Sequence, residues 1–239
     1  MSSRLATMNQ LYHYPQTNEE LIRHYKLEPH PESGYYAVTW VPTQMIRSPF
    51  ANNEERSIGT CIYYLLCHKT AGCPDKPTIA LTASTAGSEI DPFKSWSSDV
   101  GVLHLNKSST MHLHHAGRTK YTLISAKAPL GEGLVDENGD PLTKTVIMGD
   151  DIANGEVRQL LVEGGWWKVS EIPEADRAAA HDGTADPTRV GALISEVVTP
   201  GFHWDEHTYL NHAKLRELVA DSPRAEELFA KYKPYVKEL

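Results

Sequence analysis

Histidines are the residues best suited to chemistry in this sequence, and His104, His112, His114 and His115 lie close together along the chain. An imidazole has an unperturbed pKa of about 6.5, so it can take up or release a proton near neutral pH, and it also binds metal ions. In a strand, alternate side chains point to one face, so His112 and His114 are expected to lie together. His104 joins them if the strand parity continues through the intervening turn.

Other polar side chains are predicted to share this face. Asn106 and Thr110 have the same parity as the histidines, and their amide and hydroxyl groups can bond to a bound molecule. Lys168 shares a strand face with Trp166. If that face is buried, the ammonium can stabilise an enolate or bind a carboxylate; otherwise Lys168 is an ordinary exposed lysine. The pattern indicates a polar pocket for a small molecule.

Strands are the elements that must position these residues. Ten short segments are rich in β-branched and aromatic residues and are separated by Gly, Pro, Asn or Asp. Their spacing, without long helices between them, predicts a sandwich or barrel. The segments are residues 35–41, 59–67, 78–83, 100–105, 111–115, 120–126, 143–148, 157–162, 166–172 and 192–199.

Helices are predicted only at the two ends of the chain. Residues 18–26 predict a short helix capped by Thr17 or Asn18. Residues 210–220 and 226–236 have helical spacing. The two longest stretches without a predicted element, residues 127–142 and 173–188, are interpreted as loops.

Composition argues against several classes of function. The chain has 239 residues and a formal net charge of −8 at pH 7, which disfavours a nucleic-acid partner because phosphate binding needs a basic face. No apolar run approaches the ~20 residues that span a bilayer, and residues 1–10 lack the apolar core of a signal peptide. We therefore expect neither a nucleic-acid nor a membrane partner.

Cysteine usage bears on the compartment. Cys61, Cys67 and Cys73 form an odd count without a CxxC pair, which fits a reducing compartment and a cytoplasmic location. Cys61 and Cys67 lie in an apolar run and are interpreted as small buried hydrophobes.

Four segments, in order along the chain, resemble one known family. PHPESGYY at residues 29–36 resembles PHPEGGYY, and SIGTCIYYLL at residues 57–66 resembles STAIYFLL. GEVRQLLVEGGWW at residues 155–167 resembles GERPQVVVPAGWW, and VTPGFHWD at residues 198–205 resembles VAPGFDFAD. The family is that of the small cupins named cupin_5, or DUF985.

The resemblance implies an all-β fold, the double-stranded β-helix of the RmlC-like jelly-roll barrel. It also implies a homodimer and kinship with sugar-nucleotide epimerases of the RmlC type. The predicted organisation is an N-terminal arm at residues 1–17, a cupin domain at residues 18–210 and a C-terminal helical extension at residues 211–239.

The resemblance also indicates where a metal-binding cupin would carry its ligands. Aligned on Gly117 and on the tryptophan pair, the first histidine position is taken by His104, and the other three by Asn106, Thr110 and Lys168. A lysine beside a divalent ion is electrostatically unfavourable. We therefore expect no metal and no cofactor, although His104, His112 and His114 leave open a non-standard three-histidine site.

By resemblance to the epimerases, His104 is the candidate general base, and a tyrosine returns the proton. Tyr121, Tyr36 and Tyr63 are the candidates, with core packing as the alternative for each. Trp166, Phe202 and Trp204 are expected to line or close the cavity.

Three functions remain open at this point. The first is a metal-independent isomerase or epimerase, or a related cyclase or lyase, acting on a small oxygenated molecule. The second is a cupin that binds a sugar-like ligand without turnover. The third is a metallo-cupin, such as an oxygenase, with rearranged histidines.

Overall fold

The computed structural model describes residues 14–70, 72–73 and 96–237. The strand predicted at residues 78–83 and most of the predicted N-terminal arm lie outside these ranges. Helix α1, Asn18–Tyr25, begins as predicted: the Thr17 side chain accepts from the Glu20 backbone N–H, and the Glu20 carboxylate accepts from the Thr17 backbone N–H. This reciprocal cap satisfies backbone donors that the first helical turn leaves unpaired.

Six strands form the first sheet, in the order β1-β2-β5-β12-β7-β10. Their bounds are β1 Glu28–Pro29, β2 Tyr35–Trp40, β5 Thr60–Cys67, β7 Ser109–Gly117, β10 Gln159–Val162 and β12 Gly191–Thr199. The strand pairs joined in this sheet are antiparallel.

Five strands form the second sheet, in the order β13-β6-β11-β8-β9. Their bounds are β6 His104–Asn106, β8 Thr119–Ser125, β9 Thr143–Met148, β11 Trp166–Glu171 and β13 His207–Tyr209. A separate hairpin pairs β3, Met45–Arg47, with β4, Glu55–Ser57.

The two sheets face each other across a shared core. Tyr64, Leu66 and Ile194 from the first sheet pack with Tyr121 and Leu123 from the second. This is the double-stranded β-helix that the family resemblance implies. Both faces of the five-stranded sheet are buried, one in this shared core and the other beneath the C-terminal helices. Along β11, alternate residues point to opposite sides, so the interior and exterior of the barrel receive different residues from one strand.

The C-terminal helices α3, His212–Val219, and α4, Ala225–Tyr232, cover the outer face of the second sheet. Trp167 and Val169 of β11 are buried beneath them, together with Leu215 and Leu228 of the helices. Because the helices bury the odd-numbered residues of β11, its even-numbered residues, Lys168 among them, point into the barrel.

Two expectations from the sequence are wrong. Residues 173–188 are not a loop throughout, since Glu174–His181 form helix α2, in which Ala179 and Ala180 are buried. Cys67 is not a free thiol either: it forms a disulfide with Cys73, with a Cα–Cα distance of 6.6 Å. The cysteine count therefore gives no support for a reducing compartment.

Among the described residues, no helix is long and apolar enough to cross a bilayer.

Candidate functional site

A turn between β1 and β2 carries Glu32 into the barrel. The Val102 backbone N–H donates to the Glu32 carbonyl at 3.2 Å. Gly34 has a positive φ of 65°, and a Cβ at that position would lie 2.7 Å from the Leu65 carbonyl oxygen. Only glycine fits such a close approach without strain. The turn is thus fixed by backbone contacts, and the Glu32 carboxylate is held inside.

Two histidines on neighbouring strands meet this carboxylate. In the β6–β13 pair, His104 lies opposite Tyr209, and His207 lies opposite Asn106. This register places the two imidazoles diagonally on one face, with their rings stacked at a centroid distance of 5.4 Å. His104 Nε2 lies 3.2 Å from Glu32 Oε2, and His207 Nε2 lies 2.6 Å from Glu32 Oε1.

A hydrogen bond on the far side of the ring fixes the tautomer of His104. Its Nδ1 lies 2.9 Å from the Val102 carbonyl oxygen, which can only accept, so Nδ1 carries the hydrogen and donates. His104 Nε2 then presents a lone pair towards Glu32. The Nε2 atoms of His104 and His207 are both buried, and neither makes a hydrogen bond of acceptable geometry within the described part of the chain.

A second polar cluster joins the two sheets. Lys168 Nζ donates to His112 Nε2 at 3.1 Å and to Glu196 Oε2 at 3.3 Å. His112 Nδ1 lies 3.0 Å from the Leu160 carbonyl oxygen and donates to it, so its Nε2 is free to accept from the lysine. The Lys168 side chain is only 3% exposed, and its charge is balanced by Glu196.

Burial and neighbouring charges shift the pKa values of these groups strongly. Burial lowers the pKa of His104 to about 3 and that of His112 to about 4, and for His112 the Lys168 charge acts in the same direction. Burial raises the pKa of Glu196, but neighbouring positive charge, with Lys168 the largest contributor, brings it below the usual value. Both imidazoles are therefore neutral at pH 7, and Glu196 is ionised.

Tyrosine hydroxyls complete the interior. Burial raises the pKa of Tyr64 and Tyr121 well above the usual value, and the Ser170 hydroxyl offsets only part of that rise. The Tyr121 ring lies 4.8 Å from the His112 ring, centroid to centroid. Both phenols keep their protons at neutral pH and can act only as neutral donors or acceptors.

A cavity of about 290 Å³ opens beside the two clusters. Its polar lining includes His30, Glu32, Asn106 and Glu196, and its aromatic lining includes Tyr36, Phe202 and Trp204. The Asn106 Oδ1 atom is buried and has no hydrogen-bond partner among the described residues. Such a cavity has room for one small ligand, and its free acceptor suits a hydroxyl group.

The structure brings most of the sequence-predicted residues together. His104, His112, Lys168 and Tyr121 are buried in the barrel interior. Four other predicted residues line the cavity: Asn106, Tyr36, Phe202 and Trp204.

Four predicted ligand-binding residues lie elsewhere. His114 does not join His112: its Nε2 lies 2.7 Å from the Gly117 carbonyl oxygen, and its Nδ1 lies 3.6 Å from Asp150. Tyr63 faces outward, where its ring packs against Tyr25 of α1.

Thr110 is buried within its strand and is not among the cavity-lining residues. Trp166 lines a different cavity of about 520 Å³, beneath the Lys144 ammonium. His115 is exposed and contacts Ser195 at 2.6 Å, so no cluster of His112, His114 and His115 forms.

Sequence reasoning missed four residues of the site: His30, Glu32, Glu196 and His207. His30 and Glu32 belong to the PHPE segment that carries the resemblance, so a signal was present for them. Glu196 is the single charged residue within the apolar strand β12, Gly191–Thr199, which is a second usable signal. His207 lies on a three-residue strand without any periodic pattern, and nothing in the sequence indicates its direction.

Ligand positions that metal-binding cupins use on these strands do not fit a metal in this chain. Lys168 points inward and carries a positive charge, and Asn106 and Thr110 supply neither an imidazole nor a carboxylate. Of the four positions only His104 carries a metal-binding side chain, so any metal would need its remaining ligands from elsewhere in the barrel.

Comparison with known proteins places the chain among cupins. The family model described as "Cupin superfamily (DUF985)" matches residues 19–75 and 84–210. An uncharacterized protein of Saccharomyces cerevisiae, YML079W, is 28% identical over 233 residues, which cover 90% of this chain and 86% of that protein.

Two solved structures share the fold. A hypothetical protein from Leishmania major is 23% identical with a TM-score of 0.60, covering 90% of this chain and 98% of that one. Protein SO0799 from Shewanella oneidensis is 20% identical with a TM-score of 0.59, covering 94% of this chain and 99% of that one. Neither description states an activity.

Proposed function

Because the chain belongs to the Cupin_5 (DUF985) family of the cupin superfamily, we propose that its barrel binds one small oxygenated molecule and moves a proton on it, as an isomerase or epimerase does. The observation that carries this proposal is Glu196, a carboxylate only 12% exposed that lines the cavity, while Lys168 and His112 contact it from within the barrel. Fold alone would not specify a reaction, so the argument rests on these side chains.

Glu196 is better suited than His104 to act as the general base. The Lys168 charge holds the Glu196 carboxylate ionised at neutral pH, and the carboxylate borders the cavity. His104 donates through Nδ1 to Val102, faces Glu32 through Nε2, and has a pKa of about 3 because of its burial. A general base needs an accepting atom that can reach the substrate, and of these two groups only Glu196 lines the cavity.

The proposed step removes the proton from a carbon next to a carbonyl. The electron pair of the C–H bond moves into a C=C bond, and the carbonyl electrons move to oxygen, which gives an enolate. Protonation of the same carbon on its other face gives an epimer. In an α-hydroxy carbonyl compound, the hydroxyl proton can move to the enolate oxygen, and protonation of the former carbonyl carbon then gives the isomer with its carbonyl on the neighbouring carbon. Glu196 would take the proton, and Tyr121, which keeps its hydroxyl proton at neutral pH, stays the candidate for returning one.

Binding without turnover is the second candidate, and the aromatic wall supports it. The Phe202 and Trp204 rings pack edge to face at 4.9 Å, and Trp204 is 50% exposed. Together with Tyr36 they offer apolar faces on which a sugar-like ring could pack, while Asn106 accepts from its hydroxyl groups.

Solvent deuterium exchange tests the proposal. Purified protein is incubated in D₂O with small hydroxy-aldehydes, hydroxy-ketones and nucleotide-linked keto sugars, and proton NMR follows the signal next to the carbonyl. We expect wild type to exchange that proton in one class of compound and Glu196→Gln to lose at least ~100-fold of the rate, which is within the range that general base catalysis supplies.

The matched control is Glu137→Gln, the same change at an exposed loop position, which should leave the exchange rate unchanged. Equal rates for Glu196→Gln and wild type would refute the role of Glu196. Thermal stabilisation by a compound that shows no exchange would instead favour the binding function.

A homodimer remains a prediction. Val38, Val41 and Met45 form exposed apolar surface at the end of β2 and the start of β3, which supports association of this region with a second copy.

A further inference from the structure

Glu32, His104 and His207 form a cluster in the barrel that has no role in the proposed proton transfer. Glu32, His104 and His207 offer one donor atom each, and these three atoms lie within 4.8 Å of one another. They come from the turn after β1, from β6 and from β13. No two of them lie in one short sequence motif, which is why the spacing of residues did not indicate the cluster.

The buried Glu32 carboxylate lacks both a permanently charged partner and well-formed hydrogen bonds to the imidazoles around it. Glu32 is 7% exposed, and its ion-pair partners in the described part of the chain are the imidazoles of His30, His104 and His207, with no lysine or arginine among them. The buried Nε2 atoms of His104 and His207 make no hydrogen bond of acceptable geometry in the described part of the chain, so neither ring satisfies the carboxylate. A buried arrangement of this kind needs a positive species between the donor atoms.

The geometry of the contacts within the cluster also favours a bound positive ion. His207 Nε2 lies 2.6 Å from Glu32 Oε1 but makes no hydrogen bond of acceptable geometry with it. Ligand atoms that surround a common ion are close to each other while their lone pairs aim at the ion. With metal–ligand distances of about 2.0–2.2 Å, tetrahedral or octahedral ligands lie roughly 2.8–3.6 Å apart. The 3.2 Å contact between His104 and Glu32 lies in this range, whereas the 2.6 Å contact between His207 and Glu32 is shorter and would lengthen around an ion.

We propose that Glu32, His104 and His207 bind a divalent transition-metal ion in the barrel. Two imidazoles and one carboxylate favour zinc, iron or cobalt over magnesium or calcium, which prefer oxygen ligands throughout. The Val102 carbonyl accepts the Nδ1 hydrogen of His104 and so holds its Nε2 ready to bind, which is the usual support for a metal-binding imidazole. Because Glu32 also lines the cavity, a bound ion would face a small ligand there and could polarise its oxygen.

His30 positions the carboxylate rather than binding the ion. Its Nδ1 accepts from the Glu32 backbone N–H at 3.1 Å, so this lone pair is occupied. Lys168 is directed to Glu196 and His112 and therefore does not pair with Glu32. The site stands independently of the proposed proton transfer, which uses Glu196.

Metal binding can be measured directly. Full-length protein is treated with a chelator, dialysed, and titrated with Zn²⁺ and Co²⁺ by calorimetry, and the visible absorption of bound Co²⁺ reports its coordination. We expect one ion per chain. Glu32→Gln, His104→Gln and His207→Gln should each weaken binding by more than ~100-fold, beyond the 10–100-fold that changes to outer-shell groups produce.

Histidines elsewhere provide the control. His203→Gln removes an exposed imidazole, and His114→Gln removes one bonded to the Gly117 carbonyl; both should bind Zn²⁺ as wild type does. Glu196→Gln should also retain the metal, so loss of proton exchange with intact binding would separate the two proposals.

Folding is monitored separately by circular dichroism. If one ligand variant fails to fold, the remaining two decide, because Zn²⁺ should raise the melting temperature of wild type but not that of any folded ligand variant. Absence of binding by wild type would overturn the proposal. So would binding that His207→Gln leaves unchanged, since the ion would then be held at another place.

Discussion

Replacing Lys168 by methionine should destabilise the protein more than any ordinary surface lysine change. The substitution keeps a long unbranched side chain but removes the ammonium that donates to His112 and Glu196. Glu196 would then be an ionised carboxylate in a buried place without its cation, and the His112 lone pair would lose its donor. The expected loss of stability therefore comes from the loss of these two contacts.

The expected magnitude follows from the burial of the pair. Removing one partner of a buried ion pair costs about 3–5 kcal/mol, because the remaining charge keeps its desolvation penalty. The side chains of Lys168 and Glu196 are 3% and 12% exposed, so little of this interaction is screened by water. The double variant Lys168→Met/Glu196→Gln removes both charges and should lose less than the sum of the two single variants.

Urea unfolding at pH 7, followed by circular dichroism, measures the free energy of unfolding for all four proteins. The control is Lys144→Met, which changes an exposed lysine on β9 of the same sheet and should cost at most ~1 kcal/mol, since its ammonium lies over the Trp166 ring. Equal losses for Lys168→Met and Lys144→Met, or single-variant losses that simply add, would refute the reasoning.

Three further predictions concern pH, thiols and a tight turn. Burial and Lys168 lower the pKa of His112 to about 4, so the unfolded chain binds the extra proton between pH 6.5 and 4. Stability should fall as pH falls through that window, by up to ~1.4 kcal/mol per pH unit more in wild type than in His112→Gln. Thiol titration of unfolded protein should find one reactive cysteine, Cys61, before reduction and 3 afterwards. Gly117→Ala should cost at least ~2 kcal/mol in urea unfolding, because φ is 74° and the new Cβ would lie 1.8 Å from a backbone carbonyl oxygen.

Long strands were predictable from the sequence because their own β-branched and aromatic residues indicate a strand. The predicted strand at residues 143–148 coincides with β9, and the cap at Thr17 follows from local chemistry. Helix α2 was missed although its Glu-Ala-Asp-Arg-Ala-Ala-Ala run has high helix propensity. The several aspartates and the glycine within residues 173–188 favoured a loop.

The site was only half predictable, for a physical reason. His104 and His112 lie on strands with readable parity, whereas Glu32 depends on a turn with positive φ at Ser33 and Gly34. Such a turn directs a side chain inward through long-range backbone contacts, and no periodicity reports its direction. Strand alternation also gave a wrong prediction for His114. It was expected to lie beside His112, but its side chain bonds to the Gly117 carbonyl at the end of β7.

Charge balance in the barrel gives a final prediction that separates the two buried carboxylates. Lys168 neutralises Glu196, whereas the ion-pair partners of Glu32 among the described residues are imidazoles. In metal-free protein, Glu32→Gln replaces an unbalanced charge by an amide that can donate to an imidazole lone pair, so its free energy of unfolding should change by less than ~1 kcal/mol. Glu196→Gln should cost about 3–5 kcal/mol, because it leaves the Lys168 ammonium buried and unpaired.

Urea unfolding with and without Zn²⁺ checks this contrast. Added Zn²⁺ should stabilise wild type and Glu196→Gln but not Glu32→Gln, since only the last change removes a proposed ligand. A large loss of metal-free stability in Glu32→Gln would show that the carboxylate is already balanced by a protonated imidazole. The incomplete charge that argues for a metal ion would then be absent from the native protein.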